Sequence, residues 1–369
     1  MTSQAPSLLD LEDVRRDVDD RLAAVLADRR AVLRGISADT DPLVDAWEQM
    51  LRGGKRMRAA LCYWSWRAHG GDPTTGARTG VVGVGAALEL FQAAALFHDD
   101  VMDKSDTRRG VPTAHRTFAR RHADERWAGD GDQFGLSAAI LLGDLSLVSS
   151  EDEYLAATAG FPVEAAGPAR DVFTQMRTEV TVGQYLDMYA QVLPWGEDLD
   201  ADEHRAREVI RAKSARYSVE CPLLLGAALA GASSDALERC SRFGLPLGEA
   251  FQLRDDLLGV FGDPRTTGKP AGDDLREGKR TVLVVRAMRA LDDVARKDLS
   301  GALGRPDLGD NEIAGMQDVI ARSGAVEEIE ALIGTLTDEA FGAFAALDLR
   351  DGPGETLAAI ARSTVRRSA

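Results

Sequence analysis

Proline is absent from three long stretches of this chain, Thr74 to Val111, Thr113 to Phe161 and Ala271 to Gly304. Proline removes a backbone donor and clashes with the preceding turn, so runs this long without it suit helices that continue unbroken. Alanine, leucine, glutamate and arginine dominate the same runs, a helix-former composition. Within 87–97, Leu88, Phe91, Ala95 and Leu96 recur at three- and four-residue spacing, the period of one helix face. Strand signals are scarce, and the β-branched Thr281–Val285 sits inside a longer helical run. The pattern predicts an all-α chain. It carries no fixed-period repeat, and its near-continuity predicts one domain, residues 1–369, with a frayed terminus at 1–10. Gly129–Gly135 and Gly262–Gly278 read as loops. The second, where glycines recur beside lysines and aspartates, suits an active-site flap.

With 60 acidic and 44 basic residues the net charge is −16. A chain this acidic lacks the basic field of a phosphate-backbone binder, so nucleic acid is excluded as the expected partner. Three widely spaced cysteines, Cys62, Cys221 and Cys240, form no CxxC pair and suggest a reducing compartment. The first twenty residues contain no signal-type apolar region. The longest nearly apolar run, around Pro222 to Ala232, is too short to span a bilayer. The expectation is a cytoplasmic protein with no transmembrane segment.

Two acidic groups follow apolar helical stretches. In FHDDVMD, Asp99 and Asp103 are four apart, about 40° from each other on a helix, and so share a face. Two carboxylates that close repel unless a cation lies between them. Oxygen-only ligands favour Mg²⁺, which keeps waters and recruits phosphate oxygens. In FQLRDDLLGVFGD, Asp255 and Asp256 repeat the doublet, but Gly259 stands where a face-sharing partner would be. Asp187, three residues after Gln184, is a third candidate ligand. Basic residues gather at GGKRMR (Lys55, Arg56, Arg58), DTRRG (Arg108, Arg109), AKS (Lys213) and GKPAGDDLREGKR (Lys269, Lys279, Arg280), and such forks and ammoniums are what diphosphate oxygens require. Alone, any one of these clusters reads as solvated surface. Gly83 and Gly85 start a GxGxxG pattern that Leu88 breaks. Lys55 and Lys269 lack the following Ser or Thr of a P-loop. The five histidines show no ligand spacing, and His98 packs beside the first aspartate pair or hydrogen-bonds a carboxylate.

Taken in order, GGKRMR, FQAAALFHDDVMDKSDTRRGVPTAH, GQYLDM, AKSARYSVECP, FQLRDDLLGVFGD and TGKPAGDDLREGKRT resemble the trans-isoprenyl diphosphate synthases (polyprenyl synthetases) over about residues 50–285. The resemblance implies an all-α isoprenoid-synthase-type helical bundle around a deep central cavity, usually a homodimer, with two aspartate-rich helices facing each other. It implies Mg²⁺-dependent head-to-tail condensation of an allylic diphosphate (dimethylallyl, geranyl or farnesyl) with isopentenyl diphosphate. By that resemblance Asp99 and Asp103 bind two Mg²⁺ and Asp255 a third, with Asp187 close by. Lys55, Arg58, Gln92 and Arg109 hold isopentenyl diphosphate. Arg108, Lys213, Ser214, Gln252, Lys269 and Lys279 hold the allylic diphosphate or the closing flap. Ionisation of the allylic C–O bond needs the departing diphosphate stabilised and the cation shielded from water. The family's second motif normally ends in aspartate, so Gly259 is a departure.

In the family, side chains four or five positions before the first aspartate pair limit product length. Here these are Ala95 and Ala94, which leave room, and Phe91 lies one turn, about 5.4 Å, deeper. That predicts a twenty-carbon product, geranylgeranyl diphosphate, with Phe91 as floor. A terpene cyclase shares the first motif but typically carries NDxxSxxxE, whereas the only asparagine is Asn311. A non-catalytic partner subunit is favoured by Gly259 alone.

Overall fold

The computed structural model describes residues 8–195, 198–263, 271–305 and 307–366, with side chains from residue 11 onward. Its helices are α1 (Val14–Ile36), α2 (Asp41–Leu51), α3 (Met57–Ala68), α4 (Ala77–Met102), α5 (Ala114–Asp124), α6 (Gly131–Thr158), α7 (Val163–Val192), α8 (Leu199–Val209), α9 (Cys221–Leu229), α10 (Ser234–Phe261), α11 (Asp273–Glu277), α12 (Val282–Ala290), α13 (Asp293–Ala302), α14 (Asp310–Arg322), α15 (Ala325–Phe344) and α16 (Pro353–Val365). A π-helical segment, Ile210–Glu220, joins α8 to α9. Among the described residues the only strands are β1 (Thr107–Arg108) and β2 (Val111–Pro112), an antiparallel pair. The all-α expectation holds. Leu8–Asp13 forms a short 3-10 stretch interrupted at Leu11 and Glu12, and the rest of the expected frayed terminus, residues 1–7, lies outside the described residues.

The chain divides into two compact units. The first comprises Met1–Arg170, Pro222–Ser233 and Asp348–Ile360, and α4 is its core, packed by α1, α3 and α6. Every residue from Val81 to Phe91 is buried, which only small side chains at the closest approaches allow. A Cβ on Gly85 would lie 2.9 Å from Ala59 Cβ, and one on Gly83 would lie 2.7 Å from Ala157 Cβ. The two glycines of the broken dinucleotide pattern are therefore helix-packing positions. Polar anchors fix α1 and α4 against α6: Arg21 pairs with both oxygens of buried Glu153 at 2.6 Å, and Ser150 Oγ donates to Ala87 O at 2.7 Å.

The loop expected at Gly129–Gly135 is shorter than predicted, because Asp130 Oδ1 accepts from Asp132 N and Gln133 N and starts α6 at Gly131. Capping outweighs the glycine content there. A second correction concerns apolar length: α4 and α6 are each long and apolar enough to cross a membrane. Charged residues interspersed in both hide this from a search for uninterrupted apolar runs. The apolar window of α4 is 78% buried, as a core helix requires, whereas that of α6 is 44% buried.

The second unit comprises Asp171–Cys221, Ser234–Leu347 and Ala361–Ala369. Its core helix is α10, packed by α15 and the π segment, with Phe243 fully buried against Phe341 and Phe344 at ring distances of 5.7 and 4.9 Å. Pro246 lies inside α10 and Pro168 inside α7, so proline is not confined to helix boundaries. The π segment is wedged between two glycines. A Cβ on Gly183 of α7 would lie 2.7 Å from Lys213 Cα, and one on Gly248 of α10 would lie 2.8 Å from Ala215 Cα. Buried Glu249 adds an electrostatic anchor by accepting from Arg207 at 2.8 Å and Arg211 at 2.6 Å. Of the flap expected over Gly262–Gly278, residues 264–270 lie outside the described residues, and the described part contains α11, bounded by Gly272 and Gly278 with φ of 72° and 77°, values that favour glycine.

At the end of the π segment, Glu220 is buried, with Ser241 Oγ donating to its carboxylate. Burial raises its pKa, against the smaller lowering effect of Ser241 and Arg216. A raised carboxyl pKa means the folded state holds the proton more tightly, so stability is lost as pH climbs from about 4.5 through the folded-state value. Glu220→Gln should therefore melt higher than wild type at pH 8, with the gap closing towards pH 4. Equal melting temperatures at both pH values would refute this.

Candidate active site

The first unit presents a carboxylate group and a basic group. Asp99 lies in the last turn of α4 and Asp103 caps it, with Asp103 N donating to Asp99 O at 2.8 Å. The two candidate ligands therefore stand one helical turn apart. Between them in sequence, Asp100 is 1% exposed. Arg108 comes back from β1 to meet the group, its Nε donating to Asp100 Oδ1 at 2.7 Å and its Nη2 to Asp99 Oδ2 at 3.3 Å. The hairpin makes this return possible. Its two-residue turn, Arg109–Gly110, has φ of 53° and 75°, as a type I′ connection requires.

The same turn sends Arg109 towards the C-terminal end of α2, where Nη1 donates to Met50 O and Arg52 O, both at 3.2 Å. Burial of the guanidinium, then the charges of Arg108, Arg56 and Arg58, lower its pKa. These cations thus share one field. Arg56 is the exception in role. It starts α3 in the left-handed region (φ 53°), is buried, and donates to Asp19 Oδ1 at 2.7 Å and Glu89 Oε2 at 3.2 Å. Its neighbours Lys55, exposed, and Arg58, half-buried, flank this fixed point. Gln92 is half-buried on α4, Phe91 and Ala94 are buried, and Ala95 is partly exposed. His98 packs against α6, its Nε2 3.2 Å from both Ile140 O and Asp144 Oδ1. A cavity of about 690 Å³ in this unit, lined by Leu22, Leu26, Arg30, Glu48 and Leu51 among others, includes none of the candidate ligands.

In the second unit, Asp255 and Asp256 lie on α10. Asp256 is buried and its pKa is pushed up to about 8, by burial first and then by the charges of Asp274 and Asp255. Ser214 Oγ donates to Gln252 Oε1, and Gln252 Nε2 donates to Asp256 Oδ1 at 2.8 Å, so the π segment orients the doublet. Lys213 Nζ pairs with Asp187 Oδ2 at 2.6 Å, joining two candidates that the sequence reading gave to different ligands. Lys279 Nζ lies 2.5 Å from Glu277 Oε2 and 3.8 Å from Asp274 Oδ1. Arg280 bonds the carbonyls of Gln191, Leu193 and Pro194 and lies over the Trp195 ring at 4.3 Å. Lys269 lies outside the described residues.

Two of the basic clusters thus contain an arginine spent on structure, Arg56 in GGKRMR and Arg280 in GKPAGDDLREGKR. Sequence reasoning missed these anchors, Arg56 with Glu89 and Arg280 with the α7 terminus, because a backbone of positive φ and a distant carbonyl leave no local pattern. It also gave Asp100 no role beyond membership of the first acidic group, and missed Asp274 and Glu277. Asp100 and Asp274 were visible only as halves of DD doublets.

Among the described residues, no group of three or more His, Cys, Asp or Glu forms a ready cation cage. Paired carboxylates a turn apart, without nitrogen or sulfur donors, still fit Mg²⁺, which is usually held by one or two carboxylates plus water and substrate phosphate.

The polyprenyl synthetase family pattern matches residues 41–319. The chain belongs to that family. Polyprenyl synthetases similar to it include the geranylgeranyl diphosphate synthase of Sulfolobus acidocaldarius, 32% identical over 288 residues, 78% of this chain and 79% of the relative. The geranylfarnesyl diphosphate synthase of Aeropyrum pernix is 32% identical over 285 residues, 76% of this chain and 79% of the relative. The crystal structure of geranylgeranyl pyrophosphate synthase from Corynebacterium glutamicum, complexed with isoprenyl diphosphate and magnesium, superimposes with a TM-score of 0.91 at 38% identity, covering 97% of this chain and all of that one. This synthetase is a trans-prenyltransferase with the all-helical isoprenyl synthase fold.

The packing of Gly183 against the π segment tests how the site is held. Gly183→Ala should push Lys213 away from Asp187 and destabilise the protein by about 1–3 kcal/mol, the usual range for overpacking. Prenyl transfer should fall at least about tenfold, because a misplacement of this kind disturbs substrate positioning. A melting curve and an initial rate indistinguishable from wild type would show that the contact is not limiting.

Proposed function

We propose that this synthetase condenses an allylic diphosphate with isopentenyl diphosphate to all-trans geranylgeranyl diphosphate, and that both units serve this one reaction as a single catalytic domain, 1–369. The observation that carries the reading is the pairing of carboxylates with cations in each unit, Asp99 and Asp100 with Arg108 and Asp187 with Lys213. Carboxylates that would hold cations stand beside cations that would hold diphosphate. The superposition over 97% of the chain supports the single-domain reading, and the buried, reduced Cys62, Cys221 and Cys240 are compatible with a cytoplasmic location.

Asp99, Asp103 and Asp255 would hold Mg²⁺, three ions per site, with Asp187 nearby. When bound, Mg²⁺ supplies Lewis-acid stabilisation of the leaving diphosphate. Arg108, Lys213, Lys269 and Lys279 would hold the allylic diphosphate or the closing flap as fixed positive charge, with Ser214 and Gln252 as polar contacts. Lys55, Arg58, Gln92 and Arg109 hold the diphosphate of the nucleophilic substrate. The proton lost from isopentenyl diphosphate has a natural acceptor in the released diphosphate, so no histidine base is required. The buried Phe91 and Ala94 shield the growing chain.

Relatives named for twenty-carbon and twenty-five-carbon products match equally well, so length rests on α4. Incubation with Mg²⁺, labelled isopentenyl diphosphate and each allylic primer should give a twenty-carbon alcohol after dephosphorylation, and a chelator should abolish it. Ala95→Phe should shorten the product to fifteen carbons and Phe91→Ala should lengthen it. An unchanged product in both variants removes the floor. No condensation with any primer would favour a non-catalytic subunit.

We also propose a homodimer. On α6, Phe134, Leu141, Val148 and Leu155 are 39–59% exposed and stand seven residues apart, a heptad stripe that a second copy of the same helix would cover. Light scattering should give twice the mass of one chain, and Leu141→Glu with Val148→Glu should give a monomer. A monomeric wild type, or one that floats with lipid vesicles, would overturn the dimer.

A further inference from the structure

Gly259 breaks the second aspartate motif, yet the space beside it is filled. A Cβ built on Gly259 would overlap Oδ2 and Cγ of Asp274 and lie 2.9 Å from its Oδ1. The Asp274 carboxylate therefore occupies the volume that a side chain at 259 would fill. Position 259 is one helical turn beyond Asp255, so that volume borders the Asp255 face of α10.

The helix that carries Asp274 is fixed on both sides. Leu275 is fully buried, and its carbonyl accepts from Gly304 N at 3.0 Å. Gly278 and Gly304 touch backbone to backbone, since a Cβ on Gly278 would lie 2.9 Å from Gly304 Cα. Arg276 donates to Ala271 O and to Asp310 Oδ1, both at 2.7 Å. Asp274 O accepts from Lys279 N at 2.9 Å and closes the turn. A carboxylate on a backbone held this way stays in place.

We infer that Asp274, reaching across from α11, supplies the carboxylate that α10 lacks at Gly259, and so completes the second aspartate group for binding of magnesium diphosphate. The inference rests on the prenyltransferase reading proposed above. It accounts for the glycine as a steric necessity: with Asp274 in place, an aspartate at 259 has no room.

Titration calorimetry with inorganic pyrophosphate and Mg²⁺ tests this without turnover. Binding by the wild type is the check on the underlying reading, and absence of Mg²⁺-dependent binding would sink that reading itself. Given such binding, Asp274→Asn, nearly isosteric, should weaken it at least tenfold while leaving the melting temperature in metal-free buffer within a few degrees. Gly259→Asp should also weaken it, by displacing Asp274. The double variant Gly259→Asp/Asp274→Gly should bind at least several-fold more tightly than Asp274→Gly alone, because it moves the carboxylate back onto α10. Wild-type affinity in Asp274→Asn would overturn the inference. A double variant no better than Asp274→Gly would do the same, and would assign Asp274 to holding Lys279, whose Nζ lies 3.8 Å from its Oδ1.

Discussion

Carboxylates cannot be gathered in a low-dielectric fold without opposing charge, and this constraint shapes both units. Arg108 lies across Asp99 and Asp100, Lys213 holds Asp187, and Asp256, adjacent to Asp255 and near Asp274, has its pKa raised to about 8. Each is a different remedy for one problem: a bidentate guanidinium, a single ammonium, and a carboxyl that favours its proton. In the first two, the cation is also a group suited to a phosphate oxygen. Arrival of a metal diphosphate would let each carboxylate trade its ammonium or guanidinium for a metal, while each side-chain cation takes phosphate. Such an exchange avoids burying an uncompensated charge at any stage, which is the costly alternative.

Supports for these pairs lie one layer out and are mostly matters of close approach. Gly83 and Gly85 let α4 sink among α3, α1 and α6, and Gly183 and Gly248 admit the π segment between α7 and α10. Arg56 and Glu249 then tie these contacts with charge. A second layer of this kind is what holds reactive groups within fractions of an ångström.

How much of this the sequence displayed depends on whether the determining physics is local. Proline spacing and helix-former composition are local, and they led to the all-α fold. The order of six motifs placed the chain in its family. Asp130 as a cap over Gly131–Gly135 is local too, but it competes with a glycine-rich composition that suggested the opposite. The Lys213–Asp187 pair joins residues 26 apart, and the meeting of Gly259 with Asp274 depends on a turn between two left-handed glycines. Neither leaves a periodic trace. The exposed stripe on α6 did lie open at heptad spacing, and it was masked by the charged residues between its members.

The π segment has a consequence for anyone who aligns or redesigns this chain. From Ile210 to Glu220 the helix is wound wider than α, with hydrogen bonds closing one residue later than usual. A wheel drawn at 100° per residue across 199–229 would place Lys213 and Ser214 on the wrong sides of the cylinder. Loss of a single residue from this stretch could be absorbed by rewinding to α without breaking the helix, and because the wider winding holds the extra residue within the same turns, the helix downstream would keep close to its original phase. A one-residue gap introduced into an alignment at this point therefore marks a change of winding around Lys213 and Ser214, with the start of α9 left facing the same way.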